Sequence, residues 1–443
     1  MELRDLIITP LLLIVVFLAA YVSRPYVTDS ITRRYFIPAL TVRIIGALAV
    51  GFIYQFYYDG GDTFTYHTHG SRHIWEAFWD SPEKAWKLFF FNGDYSTIYD
   101  YASRIPFIND PSSFAVIRVA FLFDLLTFSS YSATAVLFSL VSFTGMWMFF
   151  LTFYRRYPSM HKILAICTFF IPSVFFWGSG LLKDTLTLAA LGVAVFSVDR
   201  LFNRRNIGVK YVLWLIISLY ALYVIKIYIL LVFLPSAVIW VFLMNLQNVR
   251  SKALRIMLFP LVLSTSGVLG FFALEKASED NPKYSLDKVA KTAKITAYDI
   301  RYWSGRDAGS GYTLGELDGT IESMVRLAPK AVNVSLFRPY LWEVKNPLML
   351  LSALESAAFL MLVLYFLVFR WKGLRFKDFA MPDFIFVMLF SVVFAFAVGV
   401  STFNFGTLVR YKIPMLPFLG LALSLLYGYS KSERKLSELA STE

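Results

Sequence analysis

An early polar segment holds the residue types best suited to chemistry. It begins at Tyr58 with the letters YDGGDTFTYHTHGSRH, directly after a long apolar stretch. Asp62 follows Gly60 and Gly61, two glycines that let the backbone turn sharply and approach a ligand closely. A carboxylate held there, partly shielded from water, can take a proton from a hydroxyl group. We therefore treat Asp62 as a candidate general base. The simpler alternative is a solvated aspartate in a turn at a helix end.

Three histidines follow Asp62, and together they raise the possibility of a metal site. Imidazole and carboxylate groups are ligands for zinc or manganese, so a divalent metal is a candidate cofactor. His69 and His73 have helical spacing, whereas His67 and His69 share a face only in an extended chain. No single local geometry presents all three. Histidines that hydrogen-bond at the level of lipid headgroups are commoner, so the sequence implies no firm cofactor.

Charged residues that could bind an anion or carry a proton lie far along the chain. Lys183 and Asp184 stand in FWGSGLLKDTLT, where a helix N-terminus can receive an anion. Alternatively, these two side chains pair with each other or extend toward the interface. Arg338 in LFRPYLWE and Arg410 in TLVRYKIPMLP carry forked guanidinium groups suited to phosphate, although arginines also anchor helix ends. Glu355 differs, because a carboxylate inside a span is by default a functional candidate such as a proton carrier.

The elements that must position these residues are membrane-spanning helices. Hydrophobic residues make up 58% of the chain and its mean hydropathy is +0.60, which excludes an ordinary soluble domain. Apolar runs of about 20 residues are helix-length, and they are longer than the alternating strands of a barrel. The sequence predicts an all-α polytopic membrane protein with about 11 spans. We place these spans at residues 7–23, 36–57, 132–154, 163–179, 184–202, 210–225, 227–246, 256–274, 347–369, 383–402 and 412–428.

The distribution of charge predicts the orientation. The net charge is +12, but the basic residues lie in short connectors and not in a tract interleaved with aromatic residues, so nucleic acid is not an expected partner. Five basic connectors fall on one side, which we assign to the cytoplasm. Residues 115–131 are ambiguous: as a full span they would place the polar segment in the cytoplasm, whereas as an interfacial or re-entrant helix they leave it outside, as we expect. Arg118 and Asp124 favour that interpretation, because charges are costly at the centre of a lipid-facing helix.

These assignments divide the chain into five segments. Residues 1–57 carry two spans, 58–131 form an external loop with interfacial helices, 132–274 form a central bundle, 275–346 form a second external loop, and 347–443 carry the C-terminal spans and a cytoplasmic tail. In the first loop, EAFWDSPEKAWKLFF has the pattern of a helix lying in the interface. In the second loop, residues 320–334 predict an amphipathic helix. We expect the two loops to form a cap.

The order of these pieces resembles the GT-C class of membrane glycosyltransferases, which use polyprenyl-phosphate-linked sugars. The resemblance covers most of the chain and rests on GGDTFTY in an early external loop, on aromatic interfacial helices after it, on FWGSGLLKD at the end of a span, and on RYKIPMLPF at the last helix. The KD and LFRPYLWE segments are also similar to those of less characterised bacterial membrane proteins of polysaccharide clusters. The chain departs from the class in two ways: the first loop has no adjacent acidic pair, and an extra span precedes the helix that leads into it.

The resemblance implies that Asp62 is catalytic and that Arg410 faces the donor phosphate. The expected partners are a polyprenyl-phosphate-linked sugar, a glycan, lipid or protein acceptor, and membrane lipid. The expected location is a bacterial inner membrane, with the site facing the periplasm or exterior. A lipid-linked polysaccharide polymerase and a transporter or lipid flippase remain alternatives. We assign to the substrate-binding set Tyr66, His67, Lys183, Asp184, Arg338, Arg410 and Tyr411.

Overall fold

The computed structural model of the protein is built from helices. It describes residues 2–246, 286–303, 310–370 and 379–440, with isolated positions between 251 and 268. Among these residues there is no strand, and 7 helices are long and apolar enough to cross a membrane. The predicted all-α class and the membrane-spanning character are confirmed. The predicted number of about 11 spans is not confirmed.

Helices are numbered along the described residues. The first twelve are α1 Leu3–Val27, α2 Arg33–Phe56, α3 Asp62–Tyr66, α4 Arg72–Asp80, α5 Pro82–Phe89, α6 Tyr99–Ala102, α7 Pro111–Thr127, α8 Tyr131–Tyr154, α9 His161–Phe169, α10 Pro172–Trp177, α11 Lys183–Val198 and α12 Val209–Leu246. The remaining six are α13 Leu286–Trp303, α14 Ile321–Phe337, α15 Pro347–Tyr365, α16 Pro382–Ser401, α17 Phe405–Tyr411 and α18 Leu416–Ala440. Short π-helical turns continue α3, α11 and α15 at His67–Ser71, Asp199–Asn203 and Phe366–Arg370.

Three predicted spans differ from the structure or fall outside it. The span predicted at 163–179 consists of the short helices α9 and α10, because Pro172 begins a new helix after the chain leaves the first. The span predicted at 412–428 belongs to a bent pair, in which α17 and the start of α18 meet at 66°. The span predicted at 256–274 lies outside the described residues apart from isolated positions.

The chain divides into two compact units, and each is described by itself. The first unit contains Met1–Arg156, Val174–Phe196 and Leu213–Lys226, and the second contains Tyr157–Ser173, Ser197–Val212 and Ile227–Glu443. The first unit holds the early polar segment and the start of α11. The second unit holds the arginines of the later segments and Glu355.

Within the first unit, contacts at both ends of α8 show how the N-terminal helices run. Ser130, the N-cap of α8, donates a 2.8 Å hydrogen bond to Asp5 near the start of α1. At the other end of α8, the hydroxyl of Tyr154 donates a 2.8 Å hydrogen bond to Asp29, which follows α1. Helices α1 and α8 are therefore parallel. Gly51, near the end of α2, lies against Tyr131 at the start of α8, so closely that a Cβ there would be only 2.6 Å from the ring. Helix α2 is therefore antiparallel to both.

The early polar segment begins and ends on the same side of these helices. It leaves the end of α2 and returns to the start of α8, and Thr63 and Tyr131 share a 2.7 Å hydrogen bond between their hydroxyls. The segment can therefore contain only an even number of membrane crossings. Helix α7, whose 17 residues overlap the ambiguous stretch 115–131, cannot be its single crossing.

A labelling experiment tests which side of the membrane this segment faces. Ser96 is exposed, and we expect a cysteine there to react with an impermeant maleimide in whole cells, because the basic connectors assign the opposite side to the cytoplasm. Ser159 is also exposed and follows Arg155 and Arg156, so a cysteine there should react only after lysis. A Cys167→Ser background removes the native thiol. Reaction of the Ser159 variant alone in whole cells would invert the assigned orientation.

Helix α12 reverses direction and is not one straight span. It has 38 residues, and Lys226 in its middle has a non-helical backbone with φ −147° and ψ 79°. Near its end, Asn245 donates a 3.3 Å hydrogen bond to the carbonyl of Phe202, only seven residues before the helix begins. A straight helix of this length would separate its two ends by about 57 Å. The chain therefore folds back at Lys226, consistent with the two spans predicted at 210–225 and 227–246.

Of the two predicted amphipathic segments, one is divided into two helices and the other is present as one helix. The stretch EAFWDSPEKAWKLFF forms two helices, α4 and α5, because Ser81 is extended and Pro82 starts a new helix. Trp79 and Trp86 on these helices, and Phe90 directly after α5, are exposed, as expected for side chains that meet the interface. The helix predicted at 320–334 is present as α14, with Thr320 as its N-cap.

Candidate functional site

Asp62 is the first residue of a short helix that follows a sharp turn. Gly60 and Gly61 have φ values of +124° and +116°, in the region that favours glycine, and a Cβ at Gly61 would press on the ring of Tyr54. Gly61 is the N-cap of α3, and Asp62 is half-buried. The pair of glycines thus does what the sequence predicted. It brings the carboxylate to a partly shielded position at the end of α2.

Lys183 is the cation that the fold brings near Asp62. Its ammonium donates a 2.7 Å hydrogen bond to the hydroxyl of Ser112 and lies 3.4 Å from a carboxylate oxygen of Asp110. Asp62 also acts electrostatically on this ammonium, together with Asp110 and Lys226. The Lys183 side chain is 18% exposed, so it is shielded but reachable. Asp110 therefore acts most directly on this ammonium, and the charge of Asp62, from a distant part of the sequence, also reaches it.

Asp110 was not among the predicted site residues, although its sequence context contains a signal. The letters DPSS at 110–113 are typical of a helix start, with an aspartate as N-cap and proline at the first helical position. Asp110 accepts hydrogen bonds from the backbone N–H groups of Ser112 and Ser113, and from both hydroxyls. Partial burial acts to raise the pKa of Asp110, but hydrogen bonding by Ser113 and the charge of Lys183 outweigh it and hold the pKa below its usual value. The carboxylate is therefore charged where it meets Lys183.

Asp184 points away from the solvent and into an ion pair. Its carboxylate accepts a short hydrogen bond from the ammonium of Lys226, the residue at which α12 reverses. The two side chains are 0% and 8% exposed. Asp184 was predicted to bind substrate, but this contact gives it a partner inside the protein. Lys226 was not predicted as a site residue, and its only sequence signal is a charge between two apolar runs.

A buried arginine holds the chain just before Lys183. Arg43, in the middle of α2, is fully buried, and one of its terminal nitrogens donates 3.0 Å hydrogen bonds to the carbonyls of Val174 and Gly178 and to the hydroxyl of Ser142. These carbonyls belong to the last turn of α10 and the residue after it, where a helix presents unsatisfied acceptors. Arg43 therefore stabilises the break between α10 and α11 and so helps to position Lys183.

Tyr66 and His67, which were predicted to bind substrate, lie in the interior of the first unit. Tyr66 is 2% exposed and its ring packs near Phe107. His67 is fully buried, with Nε2 3.3 Å from a carboxylate oxygen of Asp124. The hydroxyls of Ser71 and Thr134 donate hydrogen bonds of 2.6 Å and 2.8 Å to the same carboxylate. Asp124 thus ties the π-helical turn after α3 to α7 and α8.

The three histidines do not converge. His69 is exposed, and Nδ1 of His73 lies 3.0 Å from a carboxylate oxygen of Glu76 on the same helix. Over the part of the chain that the structure describes, no group of three or more histidine, cysteine, aspartate or glutamate side chains is arranged to hold a metal ion. The hypothesis of a divalent metal therefore gains no support from this geometry.

In the second unit, Arg338 is held by both charge and aromatic contacts. Its guanidinium forms a forked ion pair with Glu343. It also lies 5.3 Å from the ring centre of Phe405 and 5.5 Å from that of Tyr312, within the range of cation–π attraction. Glu343 additionally accepts a 2.8 Å hydrogen bond from the backbone N–H of Tyr340. The forked geometry predicted for Arg338 is present, and a side chain of the protein fills it.

Arg410 and Tyr411 are half-buried at the end of α17, where the chain bends before α18. The next residue, Lys412, is 1% exposed and donates hydrogen bonds of 3.0 Å to the hydroxyl of Ser356 and 3.3 Å to the carbonyl of Arg338. This contact brings the bend after α17 next to Arg338 within the second unit. Lys412 was not predicted as a site residue.

Glu355 is buried in α15 and has a local partner. Its carboxylate accepts hydrogen bonds of 2.8 Å from the backbone N–H and 2.6 Å from the hydroxyl of Ser173. Ser173 lies in the first turn of α10, where free N–H groups favour a negative charge. The intramembrane carboxylate singled out in the sequence therefore stabilises the start of a short helix.

The predicted residues thus fall into separate groups. Asp62 and Lys183 share a site in the first unit, Asp184 is paired with Lys226, and Tyr66 and His67 are buried. Arg338 lies beside Lys412 in the second unit, and Arg410 and Tyr411 immediately precede that lysine. Comparison of the chain with protein-family models, with curated proteins and with solved structures gives no match.

Proposed function

We propose that the protein is a membrane glycosyltransferase that moves a sugar from a polyprenyl-phosphate donor to an acceptor at the external face of a bacterial inner membrane. The observation that supports this proposal most strongly is that the charge of Asp62 acts on the ammonium of Lys183. Asp62 is half-buried and within electrostatic range of the Lys183 ammonium. A base and a cation that act on each other in this way are the two kinds of group that sugar transfer from a phosphate requires.

The reaction follows from the chemistry of these two side chains. Asp62 takes the proton from the acceptor hydroxyl as the acceptor oxygen forms a bond to the sugar carbon. The bond between that carbon and the phosphate oxygen breaks, and the phosphate leaves with the electron pair. Lys183 stabilises the negative charge that grows on the departing phosphate. Arg338, by its guanidinium chemistry, and Arg410, by the resemblance, remain further candidates for the donor phosphate, and the guanidinium of Arg338 is paired with Glu343.

Two observations favour a second candidate, a transporter or lipid flippase. Glu355 is a buried carboxylate within a span, and α17 and α18 meet at a sharp bend. Intramembrane carboxylates and broken helices are features of transport paths. Glu355 is bonded to Ser173 at a helix start, however, which is a sufficient structural reason for its presence.

A pair of variants separates the two candidates. We expect Glu355→Gln to retain sugar transfer, with at most a loss of stability, because a glutamine amide can still accept one hydrogen bond from Ser173. We expect Asp62→Asn to lose transfer. Two quantities are measured for each purified variant in liposomes. One is the turnover of polyprenyl-phosphate-linked sugars, and the other is the movement of the same lipids between the two leaflets. Loss of lipid movement in Glu355→Gln, with no effect of Asp62→Asn, would favour the transporter and reject the glycosyltransferase.

A further inference from the structure

Arg118 on α7 has one nitrogen that the protein holds and two that it leaves open. Nε donates a 2.6 Å hydrogen bond to the carbonyl of Phe89, in the last turn of α5, where helix carbonyls lack partners within the helix. The guanidinium also lies 4.6 Å from the ring centre of Phe114, one turn earlier on α7. Among the described residues, no acceptor pairs with the two terminal nitrogens, and neither nitrogen is buried. Arg118 is therefore a half-buried cation whose fork of donors can be reached from outside.

A stripe of exposed side chains runs along the first half of α12. Its members recur at the spacing of one helix face, and we call them the α12 stripe. They are Leu213, Ile216, Ile217 and Tyr220. Because α12 is apolar enough to cross a membrane, this face meets the chains of the surrounding lipids.

The Tyr220 end of this stripe lies toward the polar segment. About 9 Å further along the helix axis is Lys226, where the chain reverses and pairs with Asp184 at the start of α11. Tyrosine is common at this depth, with its ring among lipid chains and its hydroxyl at the headgroups. Tyr220 also acts electrostatically on the guanidinium of Arg118. The open fork of Arg118 and the outer end of the α12 stripe are therefore within electrostatic range of each other.

Exposed aromatic residues also adjoin the carbonyl that Arg118 binds. Phe90 directly follows Phe89 and is exposed, as is Trp86 one turn earlier. The rings of Trp86 and Phe90 are stacked, with their centres 6.0 Å apart. Aromatic side chains of this kind mark the level of the lipid headgroups. Arg118 therefore lies at the depth where lipid phosphates are found.

We propose that Arg118 and the α12 stripe bind an anionic glycerophospholipid of the leaflet on the side of the polar segment. The lipid phosphate accepts hydrogen bonds from the two terminal nitrogens of Arg118, for which a forked guanidinium is well suited. An acyl chain of the same lipid lies along the α12 stripe. A zwitterionic headgroup is a poorer ligand, because it brings its own cation to a site that already has one.

A phospholipid fits this surface better than a second copy of the chain does. Another protein chain would have to cover an apolar stripe and also bring an acid to Arg118, whereas a phospholipid carries both groups in one molecule. The inference requires only that the apolar helices cross a bilayer. It does not depend on sugar transfer.

Photo-crosslinking of the full-length protein in phosphatidylcholine nanodiscs tests this site. Two dilute probes carry the same diazirine in an acyl chain, one on phosphatidylglycerol and the other on phosphatidylcholine. Mass spectrometry quantifies the lipid attached to residues 213–220. We expect the phosphatidylglycerol probe to label this stretch roughly tenfold more, the size expected from charge-assisted hydrogen bonds. Inorganic phosphate should not compete, and displacement of the probe by it would identify a site for free phosphate and overturn the proposal.

Variants of Arg118 show whether this preference comes from its guanidinium. Arg118→Gln should remove the preference for phosphatidylglycerol, whereas Arg118→Lys should retain part of it, since lysine keeps the charge but not the fork. Arg104→Gln is the matched control. Arg104 is an exposed arginine of the same polar segment whose guanidinium lies 5.8 Å from the ring centre of Tyr101, and its replacement should leave the preference unchanged.

A second stripe, on α1, is the internal control. Its residues are exposed and have the same spacing, and they are Leu11, Ile14, Val15 and Leu18. Labelling there should be equal in all variants, which shows that each one is folded and that the probe is present. The comparison of the two probes on the original protein needs no variant at all. Tyr220→Leu, which keeps the α12 stripe apolar, should lower the preference less than Arg118→Gln does.

Three results would overturn the proposal. The first is equal labelling of residues 213–220 by the two probes, and the second is an unchanged preference in Arg118→Gln. The third is labelling of the α1 stripe without labelling of residues 213–220, which would mean that another part of the protein or a second copy covers the α12 stripe. Because none of these measurements involves a sugar, failure of this inference and failure of the proposed function can be told apart.

Discussion

Asp62→Asn is expected to abolish sugar transfer while the protein remains folded. Asparagine has nearly the same shape and can occupy the first position of α3, but its amide cannot accept the proton of the acceptor hydroxyl. Loss of a positioned base lowers the rate by about 10²- to 10⁴-fold. This corresponds to about 3 to 5 kcal/mol of barrier. The measurement is turnover of a lipid-linked donor by the purified variant in liposomes. The melting temperature of the variant is measured as well, to show that it is folded.

Asp59→Asn is the matched control for this prediction. Asp59 is exposed and lies three residues earlier, in the same turn, with a φ of 53° that asparagine also tolerates. It should retain full activity. Full activity of Asp62→Asn would remove Asp62 from the mechanism. Equal loss in both variants would show that the turn matters and that the Asp62 carboxylate has no separate role.

Asp124→Ala is expected to lower the free energy of unfolding by about 3 kcal/mol, since it leaves buried polar groups without their acceptor. The carboxylate is fully buried and accepts hydrogen bonds of 2.6 Å from Ser71 and 2.8 Å from Thr134, with Nε2 of His67 3.3 Å away. Alanine also leaves a small cavity. The measurement is the midpoint of unfolding by denaturant, in detergent, at constant pH.

The same variant should also weaken the site, because Asp124 anchors the turn that continues α3. We expect transfer activity to fall even at temperatures where the variant is folded. Asp100→Ala is the control, since Asp100 is exposed on α6. Asp124→Asn keeps the shape and should lie between the original protein and Asp124→Ala. An Asp124→Ala variant as stable as the Asp100→Ala variant would contradict the role assigned to this network.

Much of the fold could be predicted from the sequence, because hydropathy is a local property. The apolar runs at 7–23, 36–57 and 132–154 correspond to α1, α2 and α8 within a few residues. The division of α12 at Lys226 was also predictable, since one charge interrupts two runs that are each long enough to cross a bilayer. The span at 163–179 was wrong as a single helix because hydropathy does not register the new start that Pro172 imposes.

Less of the candidate site could be predicted. Local sequence predicts the turn at Gly60 and Gly61. It also places the next residue where an apolar run gives way to polar residues, so Asp62 could be identified as a candidate. The effect of Asp62 on Lys183 could not be predicted. The number of residues between two positions in different helices does not tell how far apart they lie in the folded protein. Asp110 could have been recognised as an N-cap, but nothing local indicates that this cap also meets a lysine.

Hydropathy and local turn residues were enough to identify a helical membrane protein with a carboxylate at the edge of a span. Which of the charged side chains are held by partners inside the protein became known only from the folded chain. Asp184 and Arg338 have the residue types of a binding site, yet each is occupied by a partner, Lys226 and Glu343 respectively. The physical reason is that the behaviour of a shielded charge depends on its nearest opposite charge, and that neighbour is chosen by the packing of helices that are distant in the chain.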